Sequence, residues 1–506
     1  MNREESLHKI YTIEKWDIIV IGGGATGLGI ALDATTRGLK TLLLEKGDFS
    51  SNTSSKSTKL IHGGVRYLKQ FQFKLVIEAI QERKVILKNA PHLTNIIPFI
   101  IPVYSFWNLI YYSIGLFIYE LLSFRSKIGR TSILSKNKTI ENLDFIKREK
   151  LKGGIRYFDG QFNDSQLCID IARVASQNGA TVINYFELID IIKSNEIITG
   201  IRCKDIKNNK KIILNCDTLI NATGIFADNI IKLDSPNKSN IILPSQGIHL
   251  VLNENKGAQK NGLMLPLSIE NRVIFLIPWM GKIILGTTDT MIEEIYSEPK
   301  ALEEEVDFLI RAYNSLSCRE INKKDILSVF AGLRPLVTLN NYSTSTAAVS
   351  REHLIFVSNS KMITIVGGKW TTYRKMAEEV VDTVFKIKKN NKIPCSTKNI
   401  SLDLSLEKKY SIKSILMNDS TLSEKIHKNY PFTKAEVLYS IKYEMATSIE
   451  DILARRNRLL FLDAKASIEA APEVASIFEK YFKKDRNWII NQINIFENFA
   501  IKYLPE

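Results

Sequence analysis

The sequence predicts a mixed α/β (α+β) fold in three parts: a Rossmann-like domain, an antiparallel-sheet domain and a C-terminal all-helical domain. Three stretches carry that expectation. Residues 16–45, WDIIVIGGGATGLGIALDATTRGLKTLLLE, read as a buried strand (17–21), a glycine turn, an amphipathic helix (25–37) and a second strand ending on an acid. Residues 241–290 alternate like an antiparallel sheet, with 273–278 and 282–286 forming a hairpin around Met280-Gly281. From about Ser411 the pattern is helical throughout, over 435–443, 448–458, 472–481 and 485–499.

In the first stretch Gly22, Gly24 and Gly27 give G-x-G-x-x-G between strand and helix. The first glycine permits the tight turn, the second lets backbone approach a pyrophosphate, and the third lets helix and strand pack closely. Amide groups at the helix start and the helix dipole then hold phosphate. Glu45 closes the second strand, where a carboxylate accepts hydrogen bonds from an adenosine ribose.

At 506 residues the chain has room for two or three domains and a large core. Its net charge of +15 points to an anionic partner: a phosphorylated small molecule, an acidic membrane surface or nucleic acid. No compact basic block or RNA-reading motif stands out, so nucleic acid is not expected among the partners. The five cysteines (168, 203, 216, 318 and 395) are scattered and form no C-x-x-C, which argues for a reducing compartment and against a metal or disulfide framework. The opening MNREESLHKIYTIEK has no apolar core, so it is read as a short tail or edge segment rather than a secretory signal.

Further along, residues 47–70 form a loop rich in Ser and Thr, suited to wrapping a cofactor. Residues 73–89 are amphipathic and end at Pro91. Pro98 and Pro102 mark an extended segment, and 108–124 reads as a helix apolar nearly all round. A spanning helix needs about 20 apolar residues; this one is shorter and carries Glu120, so a buried or interfacially inserted helix is expected. Arg125, Lys127 and Arg130 after it suit an anionic lipid surface. Residues 164–178 read as a helix and 181–185 as a strand. A strand within 212–224 ends in Ala222-Thr223-Gly224, and another at 363–366 runs into Gly367-Gly368 and a helix over 371–386.

Four cations sit in turn or glycine-flanked contexts: Arg66 (HGGVRYL), Arg334 (AGLRPL), Arg351 (VSREH) and Lys369 (GGKWTTYR). Each alone reads as a solvated surface charge; together they form a phosphate clamp, since Arg presents a planar fork to phosphate oxygens. His249, in SQGIHLVL, lies on an apolar strand and reads first as a core histidine. It becomes a candidate catalyst if it faces the same pocket as the cations.

IGGGATGLGIALDATTRG, IHGGVRYL and GGKWTTYRKMA resemble the signature stretches of the flavin-dependent sn-glycerol-3-phosphate dehydrogenase family. ATG, QGIHLVL, GTTDT, AGLRPL and EDILARR follow in that family's order, so the resemblance spans the chain. Leu28 departs from it, standing where the family usually carries a small residue, and a packing adjustment is expected there. The resemblance implies non-covalent FAD and oxidation of sn-glycerol 3-phosphate to dihydroxyacetone phosphate. It assigns Gly22, Gly24, Gly27 and Glu45 to the ADP half, Ser57 and Thr58 to the loop near pyrophosphate and flavin, and Thr223 with Gly224 to the second strand end. Gly367, Gly368 and Thr372 would face the flavin pyrimidine edge. By the same matching Arg66, Tyr67, Arg351 and Lys369 grip the substrate phosphate, while His249 and Arg334 lie near the carbinol carbon. His249 is the first choice of base, and Arg334 suits the developing alkoxide.

The expected domain plan is FAD-binding segments at 1–95, 152–240 and 340–394, a substrate- or membrane-facing insert at 96–151, a substrate sheet at 241–339 and a helical domain at 395–506. The family divides between quinone-linked dehydrogenases and longer, oxygen-using oxidases. Chain length and the basic, apolar 108–130 stretch favour membrane quinone as acceptor, with a peripheral position on the cytoplasmic face of an anionic membrane; a homodimer is left open. The rivals are an oxidase using oxygen, a flavin oxidoreductase of the same fold acting on an amino or hydroxy acid, and a non-enzymatic flavoprotein or basic nucleic-acid-binding module.

Overall fold

The structure, a computed structural model, describes all residues but 65–71, 124–125, 259, 267–272, 338–352 and 506. The chain opens with α1 (Arg3–Thr12), β1 (Lys15–Ile21), α2 (Ala25–Thr36), β2 (Thr41–Leu44), β3 (Leu60–Ile61) and α3 (Phe73–Asn89). Then come β4 (Thr94–Val103), α4 (Phe106–Leu122), β5 (Ser132–Ser135), α5 (Lys136–Asn142), β6 (Gly153–Phe162), α6 (Asp164–Gln177), β7 (Thr181–Ile183), β8 (Phe186–Ser194), β9 (Ile197–Asp205), β10 (Lys210–Asn221) and α7 (Ala227–Asp234). The middle of the chain supplies β11 (Ile242–Asn253), β12 (Gly262–Pro266), β13 (Val273–Trp279), β14 (Lys282–Gly286), β15 (Thr290–Met291), α8 (Glu303–Leu316) and β16 (Ile326–Val337). It ends with β17 (His353–Val357), β18 (Ile363–Gly367), α9 (Tyr373–Lys388), α10 (Ser405–Asn418), α11 (Lys434–Tyr443), α12 (Leu459–Leu462), α13 (Ala464–Phe482) and α14 (Arg486–Ala500).

Two sheets organise these elements. The first runs β17-β18-β10-β1-β2-β7, with the β8–β9 hairpin continuing from β10. β1 pairs in parallel with both β2 and β10, and Ile18, Ile19 and Val20 are fully buried. A central parallel strand covered on both faces needs such an unbroken apolar run. The second sheet runs β15-β11-β14-β13-β12-β4-β6-β3, with β16 on β11 and β5 on β6. Its hairpin turn has Met280 and Gly281 both at positive φ (47° and 74°), which is the geometry a two-residue hairpin turn favours. β3 and β6 belong to this second sheet, so it draws strands from segments expected to be FAD-binding.

The first residues are a helix rather than the expected tail or edge segment. Asn2 caps α1, and Arg3 crosses to Asn184 (2.8 Å) and the buried Asp205 (3.2 Å), which ties the helix to the first sheet. Within 448–458 the regular part is a single π-helical turn, Asp451–Arg456. The S-x-x-D cap forms before it, with Ser448 N donating to Asp451 Oδ2 (3.2 Å) and Asp451 N to Ser448 Oγ (3.1 Å). Leu28 is fully buried in the core where α2 packs on α6 and α9. Of the two expectations for α4, buried or interfacially inserted, full burial does not hold. Ser113, Leu116 and Tyr119 face inward, whereas Phe106, Trp107 and Leu121 lie 64%, 80% and 72% exposed. Among the described residues no helix is long and apolar enough to cross a membrane.

The C-terminal helices share a core with the second sheet, where Leu459, Leu460 and Phe461 meet Val251, Trp279, Ile284 and Phe330. Beneath that contact lies a buried ionic cluster. Asp164 Oδ2 accepts from Ser57 Oγ (2.7 Å) and Lys59 Nζ (2.7 Å), and Oδ1 lies 3.4 Å from Arg458 Nη2. The Lys59 ammonium sits over Trp279, Phe330 and Phe461 at 5.5, 5.0 and 5.2 Å, and burial pulls it down to about 7. Replacing Asp164 by Ala leaves two buried cations without their counter-ion. The expected cost is about 3–5 kcal/mol of stability, read by denaturant unfolding; a loss below ~1 kcal/mol would mean the cluster is solvated in solution.

Candidate active site

A cavity of about 2530 Å³ runs between the two sheets. It far exceeds the ~1,000 Å³ upper end of ordinary small-molecule pockets. At one end it is bordered by Gly22, Gly24, Thr26 and the turn Glu45–Asp48; it passes the 50–58 loop, Thr223 and Gly224, and reaches Gly367–Thr371, His249 and Arg334.

The dinucleotide turn is shaped by contacts that admit no side chain. Gly22 has φ +112°, and a Cβ there would lie 2.6 Å from Ala222 O; one on Gly27 would lie 1.9 Å from Gly22 O. Gly27 itself does not border the cavity: its part is the close helix–strand contact. Gly24 caps α2 with no side-chain hydrogen bond of its own, and of the first-turn amides Ala25 N donates to Ser54 Oγ (3.0 Å). That arrangement suits a pyrophosphate. Glu45 accepts from Gly23 N (2.6 Å) on one oxygen and Gly47 N (2.7 Å) on the other. Burial raises its pKa, and these two amides oppose the shift. Each oxygen retains a lone pair for a ribose hydroxyl.

The 50–58 loop is less uniform than its composition implies. Ser57 and Thr58 border the cavity, yet Ser57 Oγ is spent on Asp164 and Thr58 Oγ1 pairs with His249 Nε2 (2.9 Å). Both therefore brace the site. Ser54, which sequence reasoning passed over in a run of hydroxyls, touches the helix start, and its carbonyl accepts from Trp370 Nε1 (2.9 Å). Across the cavity Thr223 Oγ1 donates to Asn221 Oδ1 (2.7 Å), and Gly224 has φ +59°. Gly367 and Gly368 also have positive φ, 75° and 80°. A Cβ on Gly368 would strike Met376 Sδ at 2.5 Å. Thr372 does not border the cavity. It is the last residue of a 3-10 turn, is 2% exposed, and its hydroxyl folds back on Lys369 O (3.2 Å); Thr371 borders the cavity instead.

His249 is held on β11 between β14 and β16. Its ring stacks on Phe330 (4.7 Å, 15°), and Gly286 opposite leaves it room, since a Cβ there would lie 2.3 Å from His249 Cδ2. The histidine is only 2% exposed but borders the cavity, and Nδ1 makes no hydrogen bond. Burial first, then the charges of Lys59 and Arg334, hold its pKa well below the usual histidine range. Arg334, four register positions along β16 from Phe330, is fixed by Thr287 Oγ1 (3.1 Å), Thr288 O (2.9 Å), Gln246 O (3.3 Å) and Asp289 Oδ1 (3.3 Å). Gly247 makes space for it: a Cβ there would lie 2.2 Å from Arg334 Nη2. Thr287 and Asp289 belong to GTTDT, a motif recognised in the sequence without a role. Lys369 borders the same cavity beside Gly368, as does His62, another residue the sequence reading did not single out. Arg66, Tyr67 and Arg351 lie outside the described residues.

A single Rossmann turn serves NAD or FAD alike. Here the cavity is lined by the turn, by the Ser/Thr loop and by the Gly367–Gly368 pair before α9, which gives room for a dinucleotide larger than the turn alone would hold. The family model for FAD dependent oxidoreductase matches residues 17–374, and that for the C-terminal domain of alpha-glycerophosphate oxidase matches 359–488. A mitochondrial glycerol-3-phosphate dehydrogenase of Mesocricetus auratus is 37% identical over 94% of this chain and 72% of its own. The corresponding protein of Saccharomyces cerevisiae is 33% identical over 99% and 92%. The crystal structure of a glycerol-3-phosphate dehydrogenase from Bacillus halodurans complexed with FAD superposes with a TM-score of 0.79 at 25% identity, covering 99% of this chain and 97% of that one. The chain belongs to the FAD-dependent oxidoreductase family and, within it, to the FAD-dependent sn-glycerol-3-phosphate dehydrogenases. FAD is its cofactor.

Gly27→Ala tests the cradle. With its Cβ driven into Gly22 O, the turn must open, and the purified protein is expected to carry far less flavin per chain than the parent. Full flavin content, read from visible absorbance against protein concentration, would show that the turn tolerates the side chain.

Proposed function

We propose that this protein oxidises C2 of sn-glycerol 3-phosphate to dihydroxyacetone phosphate and passes the electrons to a membrane quinone. The observation that carries the reading is the meeting of His249, Arg334 and Lys369 on one cavity, at the Gly367–Gly368 end. The relatives named as glycerol-3-phosphate dehydrogenases support the choice of substrate.

FAD, when bound, supplies the two-electron acceptor for the C2–H bond. The protein's own share is binding and proton management. Lys369, with Arg66, Tyr67 and Arg351, grips the phosphate, a dianion that cations hold in one orientation. Arg334 cannot swing away from its carbonyl and hydroxyl partners, so it presents a fixed positive charge to the alkoxide that develops at C2. His249 takes the hydroxyl proton. Its Nε2 lies 2.9 Å from the hydroxyl of Thr58, and both residues border the cavity. Backbone amides of the 367–371 turn before α9, which borders the cavity, would favour negative charge on the bound cofactor.

The acceptor reading rests on a second part of the cavity. Beyond the polar site it continues beneath α4, between Tyr111, Ile114 and Ile118 on the helix and Phe99, Met264 and Phe275 on the sheet. An apolar arm of this kind suits a ring with a prenyl tail, whereas dioxygen has no need of one. The same helix carries the exposed Phe106, Trp107 and Leu121, an apolar face suited to lying in the headgroup region of an anionic membrane.

Anaerobic addition of sn-glycerol 3-phosphate should bleach the flavin, and unphosphorylated glycerol should not; bleaching by an amino or hydroxy acid instead would reassign the substrate. His249→Ala is expected to lower turnover by roughly 10²–10⁴ with a much smaller change in KM, and a near-normal turnover removes it as the base. Because its protonated form is disfavoured, the acid limb of kcat/KM should lie below the ~6.5 of an ordinary histidine. Trp107→Glu with Leu121→Glu should release the protein from phosphatidylglycerol vesicles while leaving flavin reduction by substrate intact. Vesicle binding as tight as the parent's would move the membrane contact elsewhere.

A further inference from the structure

The C-terminal helical domain reaches the adenosine end of the cavity through one short segment, the π-helical turn Asp451–Arg456. Two of its arginines converge on Asp48, which stands three residues beyond Glu45. Arg456 spans the carboxylate, with Nη1 at 2.7 Å from Oδ2 and Nη2 at 3.0 Å from Oδ1. Arg455 Nε donates to Oδ2 at 2.6 Å. Asn184 Nδ2 supplies a fourth bond, to Oδ1 (2.9 Å), and also donates to Met445 O (3.0 Å). The turn is therefore clamped to both chain segments that form this end of the site, 45–48 and 184–186.

The two arginines are not equivalent. Arg456 is buried between Asp48 and Glu444 O and does not border the cavity, whereas Arg455 does, together with Glu450 and Asp48. Arg455 is aimed by three carboxylates: Asp48, Glu450 (Nη1 to Oε1, 2.7 Å) and Asp451 (Nη2 to Oδ1, 2.7 Å). Asp451 is in turn fixed by Tyr185 OH (2.5 Å) and Thr447 N (2.7 Å). Three of the five guanidinium N–H groups are used in this way, which leaves two for a ligand in the cavity.

We infer that Arg455 is a cofactor-positioning residue: through it the C-terminal domain closes the adenosine end of the FAD site and sets how tightly FAD is held. Asp48 keeps three hydrogen bonds when Arg455 is lost, whereas Glu450 and Asp451 lose the guanidinium they share, so removing the charge costs stability as well as the cavity wall.

The test is FAD affinity of the apo-protein, measured by quenching of flavin fluorescence, beside the melting temperature of the apo form. Arg455→Met should weaken FAD binding by about tenfold or more, and the apo-protein should melt below the parent because Glu450 and Asp451 lose their cation. Arg455→Lys should recover part of the affinity, because it restores the charge but not the three-way fork. Glu450→Gln, which loosens one anchor without touching Asp48, should weaken binding in the same direction and by less. FAD affinity within twofold of the parent in Arg455→Met would overturn the inference. So would a weakened affinity matched by an equal fall in apo stability and no recovery with Lys, since that pattern is general destabilisation.

Discussion

Asp164 begins α6 in full burial, and the site around His249 depends on what its two oxygens hold. A carboxylate out of water keeps its charge only while its partners stay, and removing one exposes the others to an unpaired charge in a low-dielectric interior. Ser57 and Lys59 are bound to one oxygen, so the residue between them has little freedom. Thr58 is that residue, and its hydroxyl meets His249. Arg458 on the other oxygen brings in the C-terminal domain, and its Nη2 also bonds Ser55 O (2.6 Å). A single desolvated anion thus joins the cofactor loop, the histidine's partner and the helical domain.

Local pattern made much of this architecture legible. The run IIVI between polar ends, G-x-G-x-x-G and the terminal acid are all contained in thirty consecutive residues, and each feature answers to geometry within one strand–turn–helix unit. The Met280-Gly281 hairpin and α3, Phe73–Asn89, are legible for the same reason: period and turn chemistry are short-range signals. Where the sequence misled, the deciding contact was distant. Nothing near Arg3 announces Asp205, whose attraction makes a helix of a segment that looks like a polar tail. For Ser54, Ser57 and Thr58 composition indicates hydroxyls near a cofactor. Which hydroxyl reaches the helix start is settled across 29 residues, and which are drawn to Asp164 and His249 by chain folded from 107 and 191 residues away. Thr371 and Thr372 are neighbours of one type, and only the handedness of a tight turn separates the one on the cavity from the one in the core.

The same limit explains α4 and the turn at Asp451–Arg456. An apolar helix reads alike whether its faces meet protein or not. The sheet beneath α4 covers Ser113, Leu116 and Tyr119 and leaves the opposite side uncovered, so the helix is amphipathic by placement more than by composition. EDILARR reads as an ordinary capped helix, yet its arginines find Asp48 across 407 and 408 positions of chain. The segment folds as a π-helical turn, and its two consecutive arginines both reach Asp48.

Gly247 and Arg334 occupy mutually exclusive volumes: a methyl group on the first would stand 2.2 Å from the guanidinium of the second. Neither position is therefore free to drift alone. A descendant that gained a side chain at 247 would push the guanidinium off its partners on Thr287, Thr288 and Asp289. Divergence at this spot should come as a paired exchange, which makes the two positions a natural signature for telling apart relatives that keep this chemistry from those that have traded it for another.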